Sequence, residues 1–208
     1  LGKFLAIAAI IALGVGLFAG LRVSRTAMVN TGDQYLQDLL FYDYRLLSTL
    51  GFTDEDVAAF RGLPFVAAAE GSLTQDALYT AADGSDQVAS FLSLTTQVNR
   101  ADLTAGRMPQ TAGECLADVD AFTEADLGTT LTLSDANDQD TLDAFSGRQF
   151  TIVGLAVSPL YLNYERGSTS LGNGTVSCFV YLPREAFSAD YYTELYVRLG
   201  RTAPLYSE

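Results

Sequence analysis

The stretch FLAIAAIIALGVGLFAGL, residues 4–21, is 18 residues long without a polar side chain, ten being Phe, Leu, Ile or Val and eight Ala or Gly. As an α-helix it would measure ~27 Å, close to the ~30 Å hydrocarbon core of a bilayer. On a translocon scale its large side chains contribute roughly −3 to −6 kcal/mol to insertion, and no charge opposes them. Lys3 on one side and Arg22 and Arg25 on the other bound the run sharply. Burial in a soluble core would require protein around every face of the helix. A secretory signal peptide is the stronger rival. Its apolar region usually runs about 7–15 residues to a small-x-small cleavage site, whereas this run continues into Arg-Val-Ser-Arg. The reading adopted is a retained transmembrane helix.

Within the span, Ala12, Gly16 and Gly20 recur every fourth residue. Such a small-xxx-small face lets two membrane helices approach closely, so these three are candidate helix-packing residues, with lipid contact as the plainer alternative. The following VSRTAMVNTGDQYLQDLL reads as a juxtamembrane continuation of the helix, with Gly32 as the place for a bend. Residues 1–40 are therefore assigned to helix and stalk, and 41–208 to an outer domain large enough for its own core. The chain lacks an initiator Met and is expected to be part of a longer polypeptide.

Charge divides the same way. All 25 acidic residues lie at Asp33 or later, with nine of the 12 basic ones, leaving that part of the chain at −16. Such a surface repels nucleic acid and anionic lipid headgroups and favours an extracytoplasmic location. There is no His in the chain, which removes the usual proton shuttle, the Ser-His-Asp and Cys-His arrangements and the commonest transition-metal ligand. Cys115 and Cys178, both in strand-like contexts, read as two buried thiols, although an oxidising compartment would permit a disulfide.

Beyond the stalk, FYDYRLLSTL alternates as a strand does. GFTDEDVAAFRGLP then carries a full set of helix signals: Thr53 as N-cap, Asp56 closing a capping box, and Phe52 with Val57 as a staple. Gly62 is expected in the left-handed C-cap conformation, and Pro64 prevents continuation. Asp54, Glu55 and Asp56 are read as capping electrostatics. FVAAAEGSLTQDALYT and QVASFLSLTTQV flank AADGSD as a hairpin. LGTTLTL, RQFTIVGLAV, GTVSCFVYL and TELYVRL complete the strands, the last as a half-buried one, and Pro183 opens a helical turn. The fold class is α+β with strands dominating.

No motif nominates chemistry. SDANDQDTLD fails the EF-hand template, with Asp140 where glycine belongs and Ser146 at the last ligand position, and reads as a solvated acidic turn. GSTSLGNGT lacks the Gly-Lys-Ser/Thr ending of a phosphate loop. The connection from Ser158 to Gly174 is long, and carries Tyr161, Tyr164, Glu165 and Arg166 as a candidate docking loop, with a structural crossover as the alternative.

Taken in order, ALGVGLFAGL, LLSTLGFTDEDVAAF, GRMPQTAGECLAD, FTIVGLAVSPLY and ERGSTSLGNGTVSCFVYLP resemble the N-terminal part of bacterial ABC transporter permeases of the MacB/FtsX type. The resemblance implies a first transmembrane helix followed by a MacB-like periplasmic core domain of two subdomains. A porter-like subdomain would hold the strands up to about Val98, and a β-rich insert would span about 100–190. Thr193–Leu199 would return to the first subdomain, which would be incomplete at the C-terminus. It further implies a non-enzymatic membrane subunit, no cofactor, and a separate cytoplasmic ATP-binding subunit as partner. A second permease copy or homologue, membrane lipid around the helix and no nucleic acid complete the expected partners. A cell-surface binding or adhesion protein tethered by one helix is the alternative.

Overall fold

In the computed structural model, which describes residues 2–200, the apolar run lies in one unbroken helix, α1 (Gly2–Asp38). Its 37 residues correspond to ~55 Å of helix. No side chain of α1 is buried, and an 18-residue window within it has a mean hydropathy of 2.6. This helix and residues 39–200 belong to two separate compact units. The final residues of the expected outer domain, 201–208, lie outside the described residues.

In chain order the outer domain consists of β1 (Tyr44–Phe52), α2 (Asp54–Arg61), β2 (Val66–Ser72), β3 (Thr74–Thr80), β4 (Asp86–Ser93), β5 (Asp102–Gly106), β6 (Glu114–Asp118) and β7 (Thr130–Leu133), then α3 (Gln139–Asp143), β8 (Gln149–Val157), β9 (Cys178–Leu182) and β10 (Tyr192–Leu199). The class is α+β. The strands form two sheets. One is three-stranded and antiparallel, in the order β1-β10-β2.

The helix on this small sheet forms where its local signals place it. Thr53 Oγ1 accepts from the Asp56 amide at 3.2 Å, and the Thr53 amide donates to the Asp56 carboxylate at 2.8 Å. The Thr53 amide and hydroxyl, both donating to the Asp56 carboxylate, hold that carboxyl below its ordinary pKa. Val57 is buried with Ala69, Leu195 and Val197, and Phe52 and Phe60 pack at the margin. Gly62 differs from expectation: its φ is −73°, in the right-handed region. The chain instead tightens through Leu63, whose amide donates to the Phe60 carbonyl at 3.2 Å. β10 also differs from the half-buried strand expected. Leu195 and Val197 face α2, while Glu194 and Tyr196 are buried on the opposite side, because β10 is the central strand and both its faces are covered.

The larger sheet runs β5-β8-β6-β9-β4-β3-β7, and β7 pairs again with β8. The sheet therefore closes on itself through six strands, with β5 attached to the outside of β8. Pairing is mixed: β4 with β9 and β6 with β8 are parallel, the rest antiparallel. Closure creates an interior filled by Phe91, Phe145, Phe150 and Phe187 with Cys115 and Cys178. β9 lies inside the sheet, so all five of its residues are buried. Past a bulge between Leu103 and Ala105, the close approach of β5 to β8 requires Gly106: its φ is +75° and a Cβ there would lie 2.3 Å from the Val153 carbonyl oxygen.

The boundary between the two sheets falls earlier than the 100–190 insert expected. The run FVAAAEGSLTQDALYT is two strands, β2 in the small sheet and β3 in the large one. The switch occurs at Leu73, which is buried in the closed-sheet interior and whose amide donates to Ser93 Oγ at 2.9 Å. The β3–β4 hairpin forms around AADGSD with Thr80 opposite Asp86. SDANDQDTLD is also more ordered than a solvated turn. Asp138 caps α3, Leu142 is buried, and Asn137 accepts the Leu78 amide at 2.8 Å.

Candidate functional site

On α1, a Cβ added at Gly16 or Gly20 would meet nothing within 4 Å among the described residues. The span ends at an arginine whose guanidinium lies 5.9 Å from the Phe18 ring centroid, Arg22.

The loop after β8 divides its four candidate residues. Tyr164 is 87% exposed and Glu165 is exposed, next to Leu162 at 69%. Tyr161 and Arg166 turn inward. The Tyr161 ring stacks on Phe179 of β9, centroids 5.3 Å apart and planes 4° apart. Burial raises the Tyr161 pKa above its ordinary value. The Arg166 side chain is 4% exposed. Its Nε donates to Asp118 Oδ2 at 2.6 Å, and its Nη2 to Asp118 Oδ1 at 3.0 Å and Asp120 Oδ2 at 2.5 Å. Its Nη1 donates to the Asn163 carbonyl, closing the loop on itself. Hydrogen bonds to Asp118 raise the Arg166 pKa further. The same guanidinium sits 5.5 Å from the Phe179 ring centroid. Arg166 is thus an internal anchor that fixes the loop base, and of the four candidate residues Tyr164 and Glu165, in the exposed stretch 162–165, face solvent.

Asp118, which sequence reasoning missed, lies 48 residues before Arg166 in the chain. Its one sequence signal is an acid ending the apolar run ECLAD. A second polar cluster centres on Glu194, which is 3% exposed. Arg45 holds it with Nε at 2.9 Å and Nη2 at 2.6 Å, and Tyr196 donates its hydroxyl to the same carboxylate. Burial and the Glu194 charge together push the Tyr196 pKa up. Glu194 borders a cavity of about 600 Å³, with Ser48, Thr74, Asp76 and Thr193 among its lining. The cavity is polar and hydroxyl-rich. The two thiols are free and buried, each pushed up to about 12 by burial, and Cys178 Sγ lies 3.7 Å from the Tyr79 hydroxyl. Neutral buried thiols are poor nucleophiles. Among the described residues, no three His, Cys, Asp or Glu side chains converge as metal ligands.

No protein-family model matches the chain, and no curated protein does. Solved structures do. The extracellular domain of the noncanonic ABC-type transporter YknZ from Gram-positive bacteria is 14% identical, with 77% of this chain and 82% of that one covered and a TM-score of 0.47. The periplasmic region of MacB from Actinobacillus actinomycetemcomitans is 9% identical over 74% of this chain and 66% of that one, TM-score 0.44. A domain of a putative permease protein from Porphyromonas gingivalis is 15% identical over 70% and 67%, TM-score 0.44.

Proposed function

We propose that this chain is the N-terminal part of an ABC transporter permease subunit of the MacB/FtsX type. In this reading α1 crosses the membrane, residues 39–200 lie on the extracytoplasmic side, and a separate cytoplasmic ATPase moves that domain to export or remodel an envelope substrate. The observation that carries the reading is α1 itself. Its apolar N-terminal half matches a bilayer, and its polar remainder, residues 22–38, continues as helix for roughly 25 Å more. A helix of that length is a rod suited to carrying displacement out of the membrane. The ordered series of resembling segments and the acidic charge beyond Asp33 also support it.

Ala12, Gly16 and Gly20 are the proposed contact face for a second permease copy or homologue. Replacing Gly16 and Gly20 together by Leu should impair assembly while leaving the outer domain folded; unchanged assembly removes that role. The exposed tip at 162–165 is the proposed docking element of the loop.

The test is purification of the tagged full-length gene product from membranes in mild detergent. The expected result is a co-purifying polypeptide that binds and hydrolyses ATP. A protein recovered alone, with one membrane span in its complete reading frame, would overturn the permease reading and leave a surface-tethered binder.

A further inference from the structure

The chain leaving α1 is gripped by the connection between β4 and β5. Among the described residues, Leu40 (φ 56°) and Asn99 (φ 53°) are the non-glycine residues with positive φ. A β-carbon disfavours that conformation, more for Leu than for Asn. These two residues are bonded to each other: the Asn99 amide donates to the Leu40 carbonyl at 2.9 Å. Next to this bond the Arg100 amide donates to the Leu39 carbonyl at 2.8 Å, and Asn99 Oδ1 accepts the Tyr42 amide at 3.0 Å. Asn99 is 1% exposed, and its Nδ2 has no hydrogen-bond partner, a further cost borne at this one position.

The other side of the connection is pinned to the small sheet by one carboxylate. Glu70 on β2 accepts the amides of Thr96 at 3.0 Å, Gln97 at 2.8 Å and Val98 at 3.1 Å, together with the Thr96 hydroxyl at 3.2 Å. Three successive amides converging on one carboxylate make a strong, charge-assisted attachment. The Val98 side chain is fully buried against Ala68 of β2 and Tyr196 of β10, and the Tyr42 ring lies 5.3 Å from that of Tyr196. Residues 95–100 therefore bond to the exit segment 39–42 and to the small sheet, while their own ends run into β4 and β5 of the closed sheet.

We infer that residues 95–100 are a clasp, pinned by Glu70, through which displacement of the chain leaving α1 is delivered to both sheets together. The inference rests on the reading above that the domain is moved from the membrane side. Two left-handed residues sharing one hydrogen bond persist only where the surroundings over-determine them, and such strain concentrates at working joints. Without the clasp, a pull at Leu39 would first peel 39–42 from the domain. With it, the same pull acts on β2, β4, β5 and β10.

The test compares the full-length protein in lipid nanodiscs with its Glu70→Ala variant by hydrogen–deuterium exchange, alone and with the ATPase partner and nucleotide. Loss of the pin should speed exchange in 39–42 and 95–100 about ten- to a hundredfold, with β6 and β9 unchanged. The nucleotide-dependent change in exchange at β2 and β10 of the wild type should disappear in the variant. Wild-type protection of 39–42 in the variant, or a nucleotide response that survives an opened clasp, would overturn the inference. If Glu70→Ala does not fold, Asn99→Gly keeps the backbone conformation but deletes the Tyr42 acceptor, and should release 39–42 to a smaller extent. Absence of any ATPase partner would instead defeat the permease reading, leaving the exchange of 39–42 to decide whether the clasp exists.

Discussion

α1 and β9 are both apolar, and the fold treats them in opposite ways. β9 has five residues, all buried, with Phe179 and Tyr181 on one side and Cys178, Val180 and Leu182 on the other. α1 has 37 residues and buries none; Phe4, Ile10 and Leu13 are 83%, 70% and 74% exposed. Apolar surface stabilises only when removed from water. For β9 the medium is the protein interior. The apolar run of α1, none of it buried, has the length of a bilayer's hydrocarbon core. Composition alone does not separate the two regions. What separates them is which partner the apolar surface has.

Changes confined to one region should therefore leave the other intact, and the largest effect belongs to the domain. Replacing Asp118 and Asp120 together by Ala strands Arg166 as a buried unpaired charge, which costs about 3–5 kcal/mol. Denaturant titration should show that loss of domain stability and proteolysis should show a loosened 158–174 loop, with membrane retention unchanged. Val15→Asp places a charge at mid-span for about 2.5–3.5 kcal/mol against insertion. Fractionation should show reduced membrane retention while the domain melts as before. Thr53→Ala removes the α2 cap, so the domain should lose about 1 kcal/mol in the same titration, again without effect on retention.

The last effect is silent at neutral pH and appears only in alkaline solution. Cys115 and Cys178 are raised by burial from 9.0 to about 12. A group whose folded pKa is raised stabilises fully below its unfolded value and less as pH climbs toward the folded one. The thiols' contribution should thus be complete below pH 9 and fall away toward about 12. Replacing both by Ala should flatten that alkaline limb in a pH series of unfolding midpoints. Native protein at neutral pH should resist thiol labelling that the unfolded chain accepts at both sites.

What the sequence made legible was local. The α2 cap depends on Thr53 and Asp56, three residues apart, and the β3–β4 hairpin on one turn. The span of α1 depends on an unbroken run of side chains. What it hid was nonlocal. β1 pairs with β10 across almost the whole domain, and no periodicity encodes that partner. The change of sheet at Leu73 leaves the strand-like pattern of FVAAAEGSLTQDALYT unbroken, so the two strands read as one. Both faces of β10 are buried because it is the central strand of the small sheet, a place that the alternation in TELYVRL does not reveal. In the loop, Arg166 looked available for docking because its partners Asp118 and Asp120 sit on a different strand end, near only after folding. Tyr164 stayed outside because nothing in the domain reaches it.

The most direct measurement is the N-terminal sequence of the mature protein recovered from carbonate-washed membranes of cells expressing the complete gene. A chain that retains residues 4–21 and stays in the membrane pellet is the predicted result. A mature protein that begins after Arg25 and partitions into the soluble fraction would contradict the account.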